Sequence, residues 1–453
     1  MKTWKFDALL QNNTWITPAF VSVDNNGVIK SIDSQHQGEF HTIKGIALPG
    51  YQNAHSHAFQ YAMAGTAEHL PKGALTDDFW SWREAMYNLA LNVTPENVRA
   101  IATMLYSEML RHGYTSVTEF HYVHHDTNGE PYTNLAEMGT QLITAAKEVG
   151  IKITLVPIFY QMGDFGKPAS KRQRRFLSKT VEDYLALYEK SQEACKSYCG
   201  ANIGAGIHSL RAVCDKDIIS MLSQIPKNIP RHIHVSEQQK EVDSCIAYFG
   251  QRPVEWLLNN TDINENYHLV HATHLNSQEI SGICKSKAQV VLCPSTEGNL
   301  GDGLFSLRDF WKQGGRWSIG TDSHIGLNPM EELRILDYGQ RLHWQKRNIL
   351  CNKEGEDSGE LAFKESIISG RKAMGNDVKD FFAIGQPLDA VIIDSSHPLI
   401  APTSKERLLS TIIYSCDVSA IFATMVNGNL ISENSLQKCK VDFFKTIKEL
   451  KNR

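Results

Sequence analysis

This chain has no long hydrophobic run, no surplus of basic charge and no paired cysteine motif, and each absence closes off a class of function. No stretch approaches the roughly 20 consecutive apolar residues of a membrane span, and Met1-Lys2-Thr3-Trp4-Lys5-Phe6-Asp7 has no apolar core of signal-peptide length. A cytoplasmic protein without a membrane partner is therefore expected. The 46 Lys and Arg residues against 50 Asp and Glu leave a formal charge of −4, so no global field attracts nucleic acid. Any anionic ligand must be held by local cations. Nine cysteines include no C-x-x-C, the tightest spacing being Cys195 to Cys199, so neither a disulfide framework nor a thiolate metal site is indicated.

What the chain does have is histidine at the ends of apolar runs. Side chains two apart on a strand share a face, so His55 and His57, following Leu48-Pro49-Gly50 at a strand end, aim two imidazoles at one point. Alone this spacing also fits a surface pair. Three later runs close the same way: Arg231 to Glu237 with His234, Tyr267 to His274 with His271, and Ser318 to His324 with Asp322.

With 453 residues and 42% hydrophobic content, the chain can bury one large domain and a smaller one. Residues 1 to 46 hold short alternating segments joined by Asp24-Asn25-Asn26-Gly27, and Asn-Gly favours a hairpin because both residues tolerate positive φ. From residue 46 the pattern becomes strand then helix, repeated. Strands are predicted at Ile46–His57, Tyr114–Tyr122, Lys152–Tyr160, Ile203–Leu210, Ile229–Glu237, Tyr267–His274, Ala288–Thr296 and Trp317–His324. Helical patterns such as Pro95–His112, Asn134–Val149, Val181–Cys199 and Asp215–Gln224 lie between them, the first opened by Thr94 as N-cap.

This alternation predicts an α/β fold, a (β/α)8 TIM barrel over residues 47–375, with a small β-sandwich domain formed by both chain termini, 1–46 and 376–453. The β pattern returns at Asp389–Asp394 and Val418–Asn429, before a closing helix from Cys439 to Leu450. Chemistry in such barrels sits at the C-terminal ends of the strands, which is where His55, His57, His234, His271 and Asp322 fall. Two excursions are long. Ala58 to Val93 carries the aromatic Phe79-Trp80-Ser81-Trp82-Arg83-Glu84 and is expected to shape the pocket as a loop. Lys171-Arg172-Gln173-Arg174-Arg175 reads as a solvated loop or helix start, or as a mobile lid that attracts anions.

His55-x-His57 after the first strand, His234 on the fifth, His271 on the sixth and Asp322 on the eighth resemble the amidohydrolase superfamily. Within it, Leu48-Pro49-Gly50, His55-Ser56-His57-Ala58-Phe59-Gln60, Phe79 to Glu84, His208-Ser209-Leu210-Arg211, Ser236-Glu237-Gln238 and Cys293-Pro294 to Gly303 are similar to the formimidoylglutamate deiminases of histidine degradation. The resemblance covers nearly the whole chain. It implies one zinc ion per subunit on His55, His57, His234 and Asp322 with an open position for water, and a homodimer. The bridging lysine common to two-metal members is absent, because the fourth strand ends in Ile207-His208-Ser209.

The implied reaction is hydrolytic deimination of N-formimidoyl-L-glutamate to N-formyl-L-glutamate and ammonia. Asp322 is then the base, His271 orients and stabilises the attacking hydroxide, and Glu237 protonates the leaving nitrogen. Arg83 and Arg211 match the residues that hold the substrate's two carboxylates, which arginine grips through paired planar hydrogen bonds; Gln60, Tyr122 and His208 match its other contacts. Two alternatives stay open. The same metal and acid/base set suits an aminohydrolase acting on an aromatic base such as guanine or a pterin, which Trp80, Trp82 and Tyr122 favour. The other is a non-catalytic binding protein, which would be expected to have lost ligands. The zinc deaminases with a P-C-x-x-C signature are excluded, since that cysteine pair is missing.

Overall fold

Eight apolar runs form parallel strands, each hydrogen-bonded to the next in chain order. They are β1 (Tyr51–Ser56), β2 (Tyr114–His121), β3 (Lys152–Phe159), β4 (Ala201–Ile203, resumed at Ala205–Ile207), β5 (Arg231–Val235), β6 (Tyr267–His271), β7 (Gln289–Leu292) and β8 (Arg316–Ile319). The computed structural model describes residues 1–70, 77–431 and 433–451. All but the first residue of β3, Lys-Ile-Thr-Leu-Val-Pro-Ile-Phe, is buried, as a strand with the barrel interior on one face and helices on the other must be. The sheet closes on itself where Ser56 bridges to Asp322 and where the Thr321 and Asp322 N–H groups donate to the His55 carbonyl at 3.1 and 3.0 Å. This is a (β/α)8 barrel.

The helices start where local chemistry starts them. Thr94 accepts from the Asn97 N–H, Asn97 reciprocates, and Pro95 takes the first position of the helix Pro95–Arg111. Thr180 opens the helix Val181–Cys195 with the same reciprocal cap on Asp183. The helix Ser358–Ala373 crosses the barrel floor, where the His232 ring bonds the Ala373 carbonyl at 2.9 Å. No helix among the described residues is long and apolar enough to cross a membrane.

Both chain ends build a second, mixed sheet. Its strand His41–Pro49 runs parallel to Lys2–Gln11 on one side and antiparallel to Ala390–Ile393 on the other. The run expected as one strand over Ile46–His57 is thus two strands in two sheets. The chain passes between them at Gly50, where a Cβ would lie 2.2 Å from the Thr115 methyl carbon; only glycine fits that approach.

Two other expectations change. The excursion from Ala58 to Val93 is helical in its second half, Phe79–Asn92, with Asp78 as N-cap; residues 71–76 of it lie outside the described residues. The basic segment Lys171–Arg175 is fastened to that helix. Arg172 pairs with Glu84 at 2.9 Å, Gln173 donates to Tyr87 Oη at 3.2 Å and Tyr160 Oη at 2.7 Å, and the wholly buried Arg175 bonds the carbonyls of Ala90 and Val93. These side chains hold a neighbouring helix by their donors, which is a structural use of charge and not an anion trap.

Candidate metal centre and active site

Three imidazoles and a carboxylate converge at the C-terminal mouth of the barrel. His55 Nε2 lies 3.1 Å from His57 Nε2 and 3.0 Å from His234 Nε2. Asp322 Oδ1 lies 3.6 Å from His55 Nε2 and 3.2 Å from His57 Nε2. A tetrahedral metal with bonds of about 2.0–2.1 Å sets its ligand atoms about 3.3 Å apart, and these separations straddle that value.

The donor chemistry fits a cation as well. His57 Nδ1 faces the Phe120 carbonyl at 2.8 Å; a carbonyl only accepts, so Nδ1 carries the proton and Nε2 points a lone pair at the centre. Burial, then the neighbouring His57, holds His55 well below the ordinary imidazole range. Burial, then His55, does the same to His234. Both are neutral, the form that binds metal. Burial acts to raise Asp322, but the bond to His57 and the nearby imidazoles outweigh it and keep the carboxylate ionised. Several lone pairs facing one point at this range repel unless a cation sits among them.

The backbone at the strand ends is bent to make this geometry. Ser236, His271, Ala272, Asp322 and His324 all have positive φ, between 46° and 67°. None is glycine, and such residues cost about 1–3 kcal/mol each, a strain that collects at functional sites. The turn at Ser236 carries Glu237 from the strand direction into the pocket. His271 Nε2 then stands 3.6 Å from Glu237 Oε1 and 3.6 Å from Asp322 Oδ2. Burial opposes charge on His271, but Glu237, Glu297 and Asp322 prevail and raise it well above its ordinary value. Burial raises Glu237, assisted by the charge of Asp322 and opposed by His271.

One cavity gathers the rest: Gln60, Arg83, Tyr122, His208 and Arg211 share it with His57, His234, Glu237, His271 and Asp322. Gln60 donates to Tyr122 Oη at 2.8 Å and leaves its own oxygen without a partner. Arg211 is only 5% exposed, and the Nε atoms of both Arg211 and Arg83 have no partner among the described residues. Every site residue expected from the sequence thus meets at one place. Trp82 lines the cavity, whereas Trp80 stands behind Arg83, its ring 4.2 Å from the guanidinium carbon.

Four acids escaped the sequence reading. Glu119 accepts from Ser56 Oγ, the Ala58 N–H and Tyr106 Oη at 2.8, 2.6 and 3.0 Å, pinning the turn that carries His55 and His57. Glu297 lies 3.2 Å from His271 Nδ1 and accepts from the Cys293 N–H. Glu241 accepts from the N–H groups of Ser236 and Glu237. Asp302 accepts from the Gln238 side chain. Only Glu119 announced itself, as a lone charge inside an apolar strand.

The fold and this centre together define the class, and residues 46–431 match the amidohydrolase family: the chain belongs to that family. It is 40% identical over 420 residues, 92% of this chain and 91% of the other, to formimidoylglutamate deiminase of Pseudomonas aeruginosa. The crystal structure of an amidohydrolase from Brucella melitensis superposes with a TM-score of 0.92 at 37% identity, over 99% of this chain and 100% of that one. An adenosine deaminase from Xanthomonas campestris with bound zinc shares the fold at a TM-score of 0.82 and 19% identity, over 100% and 98% of the two chains.

Proposed function

We propose that this protein is a formimidoylglutamate deiminase, a hydrolase that converts N-formimidoyl-L-glutamate and water to N-formyl-L-glutamate and ammonia. The observation that carries this reading is the pair of arginines, Arg83 and Arg211, in one cavity with the metal-type cluster and Glu237, each with an unpartnered Nε. Two cations that form no ion pair among the described residues suit a substrate with two carboxylates, and the Pseudomonas aeruginosa relative carries the corresponding name. The metal of this proposal is one zinc ion per subunit on His55, His57, His234 and Asp322, in a cytoplasmic homodimer. When bound, zinc lowers the pKa of a water molecule toward neutrality and so supplies hydroxide at physiological pH.

The residues of the chain do the rest. Arg211 and Arg83 hold the carboxylates and bring the formimidoyl carbon to the mouth of the barrel. Asp322 accepts a proton from the attacking water as the new C–O bond forms, and His271, 3.6 Å from its Oδ2, steadies the charge there. Glu237 delivers a proton to the imino nitrogen as that C–O bond forms; the proton taken up by Asp322 then passes to the same nitrogen and the new hydroxyl returns its proton to Glu237, so that the C–N bond breaks, the C=O bond forms and ammonia leaves. Burial of Glu237 raises its carboxyl above the ordinary range, the direction an acid needs to hold that proton.

The aromatic lining of the cavity, with Phe79, Trp82, Tyr87 and Tyr122, supports a second reading, an aminohydrolase of an aromatic base. One experiment separates the two. Zinc-loaded protein is given N-formimidoyl-L-glutamate, N-formimidoyl-L-aspartate and guanine in parallel, and ammonia is measured. Release from the glutamate compound with N-formyl-L-glutamate as co-product is expected; silence there with turnover of guanine would overturn the proposal and leave the second reading.

A further inference from the structure

The arginine pair is part of a larger group. Trp80 stands at the start of the helix Phe79–Asn92, and three cations surround its indole. The Arg83 guanidinium carbon lies 4.2 Å from the ring centroid, that of Arg211 5.9 Å, and Lys240 Nζ 4.5 Å. Lys240 comes from a different element, the first turn of the helix Gln239–Phe249, three residues after Glu237.

Three of the acids near this group have other partners. Glu84, the acid of the Trp80 helix, pairs with Arg172. Glu241, beside Lys240, accepts from two backbone N–H groups, and Asp243 accepts from Gln239 at 2.8 Å. Glu237 and Glu241 act on the buried Arg211 through their charges, but among the described residues none of the three cations forms an ion pair; crowded around one ring they repel one another, and an indole face returns only about 0.5–1 kcal/mol for each exposed contact. Such a group is built to be completed by an anion with more than one charge.

The three cations are also graded by depth. Lys240 is exposed, Arg83 half-buried and Arg211 buried. In N-formimidoyl-L-glutamate the α-carboxylate carbon is three bonds from the reacting formimidoyl carbon and the side-chain carboxylate is further out. The deep arginine therefore matches the first, and the outer cations match the second.

We infer that Lys240 is a specificity-determining residue, the outermost cation of the substrate site, which pairs with the distal carboxylate of the dicarboxylate substrate and leaves the face of Trp80 to do so. The inference rests on the functional reading above and extends it to a residue outside the cavity lining.

Steady-state kinetics on zinc-loaded wild type, Lys240→Ala and Lys240→Arg test it, with N-formimidoyl-L-glutamate and with N-formimidoyl-L-norvaline, which keeps the chain length but lacks the distal carboxylate. Lys240→Ala is expected to raise KM for the glutamate compound about fivefold, as an exposed charge contact allows, with kcat within about twofold. Lys240→Arg restores KM, and the norvaline compound shows no difference among the three proteins. An unchanged KM in Lys240→Ala, or an equal rise with norvaline, would overturn the role of Lys240 and leave the deiminase reading intact. Silence of the wild type on the glutamate compound would overturn both.

Discussion

Asp322 and His55 are tied to each other through the backbone: the Asp322 N–H donates to the His55 carbonyl at 3.0 Å, and the His57 N–H donates back to the Asp322 carbonyl at 3.1 Å. The seam that closes the barrel and the cluster suited to a metal are therefore one structure. Three of the four candidate ligands are placed by the same hydrogen bonds that join the last strand to the first.

Gly320, just before this seam, tests that unity. A Cβ there would lie 2.7, 2.8 and 2.9 Å from the Cβ, N and O atoms of His55, and two of those three are backbone atoms that move only if the seam opens. Gly320→Ala is expected to lower the melting temperature, by about 1–3 kcal/mol of stability, and to lose bound metal together with activity. Gly298→Ala, where no atom of the described residues stands within 4 Å, is the matched control and should keep both. Full metal content in a destabilised Gly320→Ala would separate seam from centre.

Glu237 reaches the cavity by a left-handed turn at Ser236 and is fixed there by Glu241, which binds its N–H. Glu237→Gln keeps the shape and removes the proton. Turnover should fall about 10²–10⁴-fold, while metal content, measured by atomic absorption, stays at the wild-type level. Near-normal turnover would mean that another group supplies the proton.

These cases show what could be read in advance and what could not. The barrel strands were legible because a strand buried on both faces must be a run of Val, Ile and Leu, and the ligands because His or Asp closes such runs. Thr94 and Pro95 announced a helix start through purely local chemistry. Gly50 gave no such signal, since the break there is forced by Thr115 on another strand. Phe79–Asn92 read as a loop because its aromatic residues face a cavity that exists only after folding. Arg175 read as solvated, yet it is wholly buried against carbonyls of that helix. Local patterns carry elements and ligands, whereas the groups that position them are set by contacts distant in sequence.

Arg211 lies almost wholly buried with its Nε unpartnered, so a carboxylate that meets it exchanges water for a planar pair of donors. Arg211→Ala would leave that carboxylate buried and unpaired, and KM for N-formimidoyl-L-glutamate should rise about a hundredfold. Arg211→Lys keeps the charge but not the fork and should recover only part of the loss. Equal KM values for Arg211→Lys and wild type would reduce the role of Arg211 to its charge.

Glu332 offers a test of stability that is independent of the metal centre. It sits near the start of the helix Pro329–Trp344, almost wholly buried, and accepts from the Ser295 N–H at 2.9 Å. Burial pushes its carboxyl up from 4.5 to about 8, and the charges of Glu297 and Glu331 act in the same direction, against the two bonds from Ser295. Between those two values the folded protein keeps a proton that the unfolded chain has released. Unfolding then releases a proton, so this group lowers stability as pH rises through that window, by at most about 1.4 kcal/mol per pH unit, and adds no further slope above about pH 8. Gln at this position cannot ionise. Thermal melts at fixed metal concentration should therefore show Glu332→Gln gaining on wild type from pH 5 to pH 8, and parallel curves would mean that the carboxyl is already ionised in the fold at pH 5.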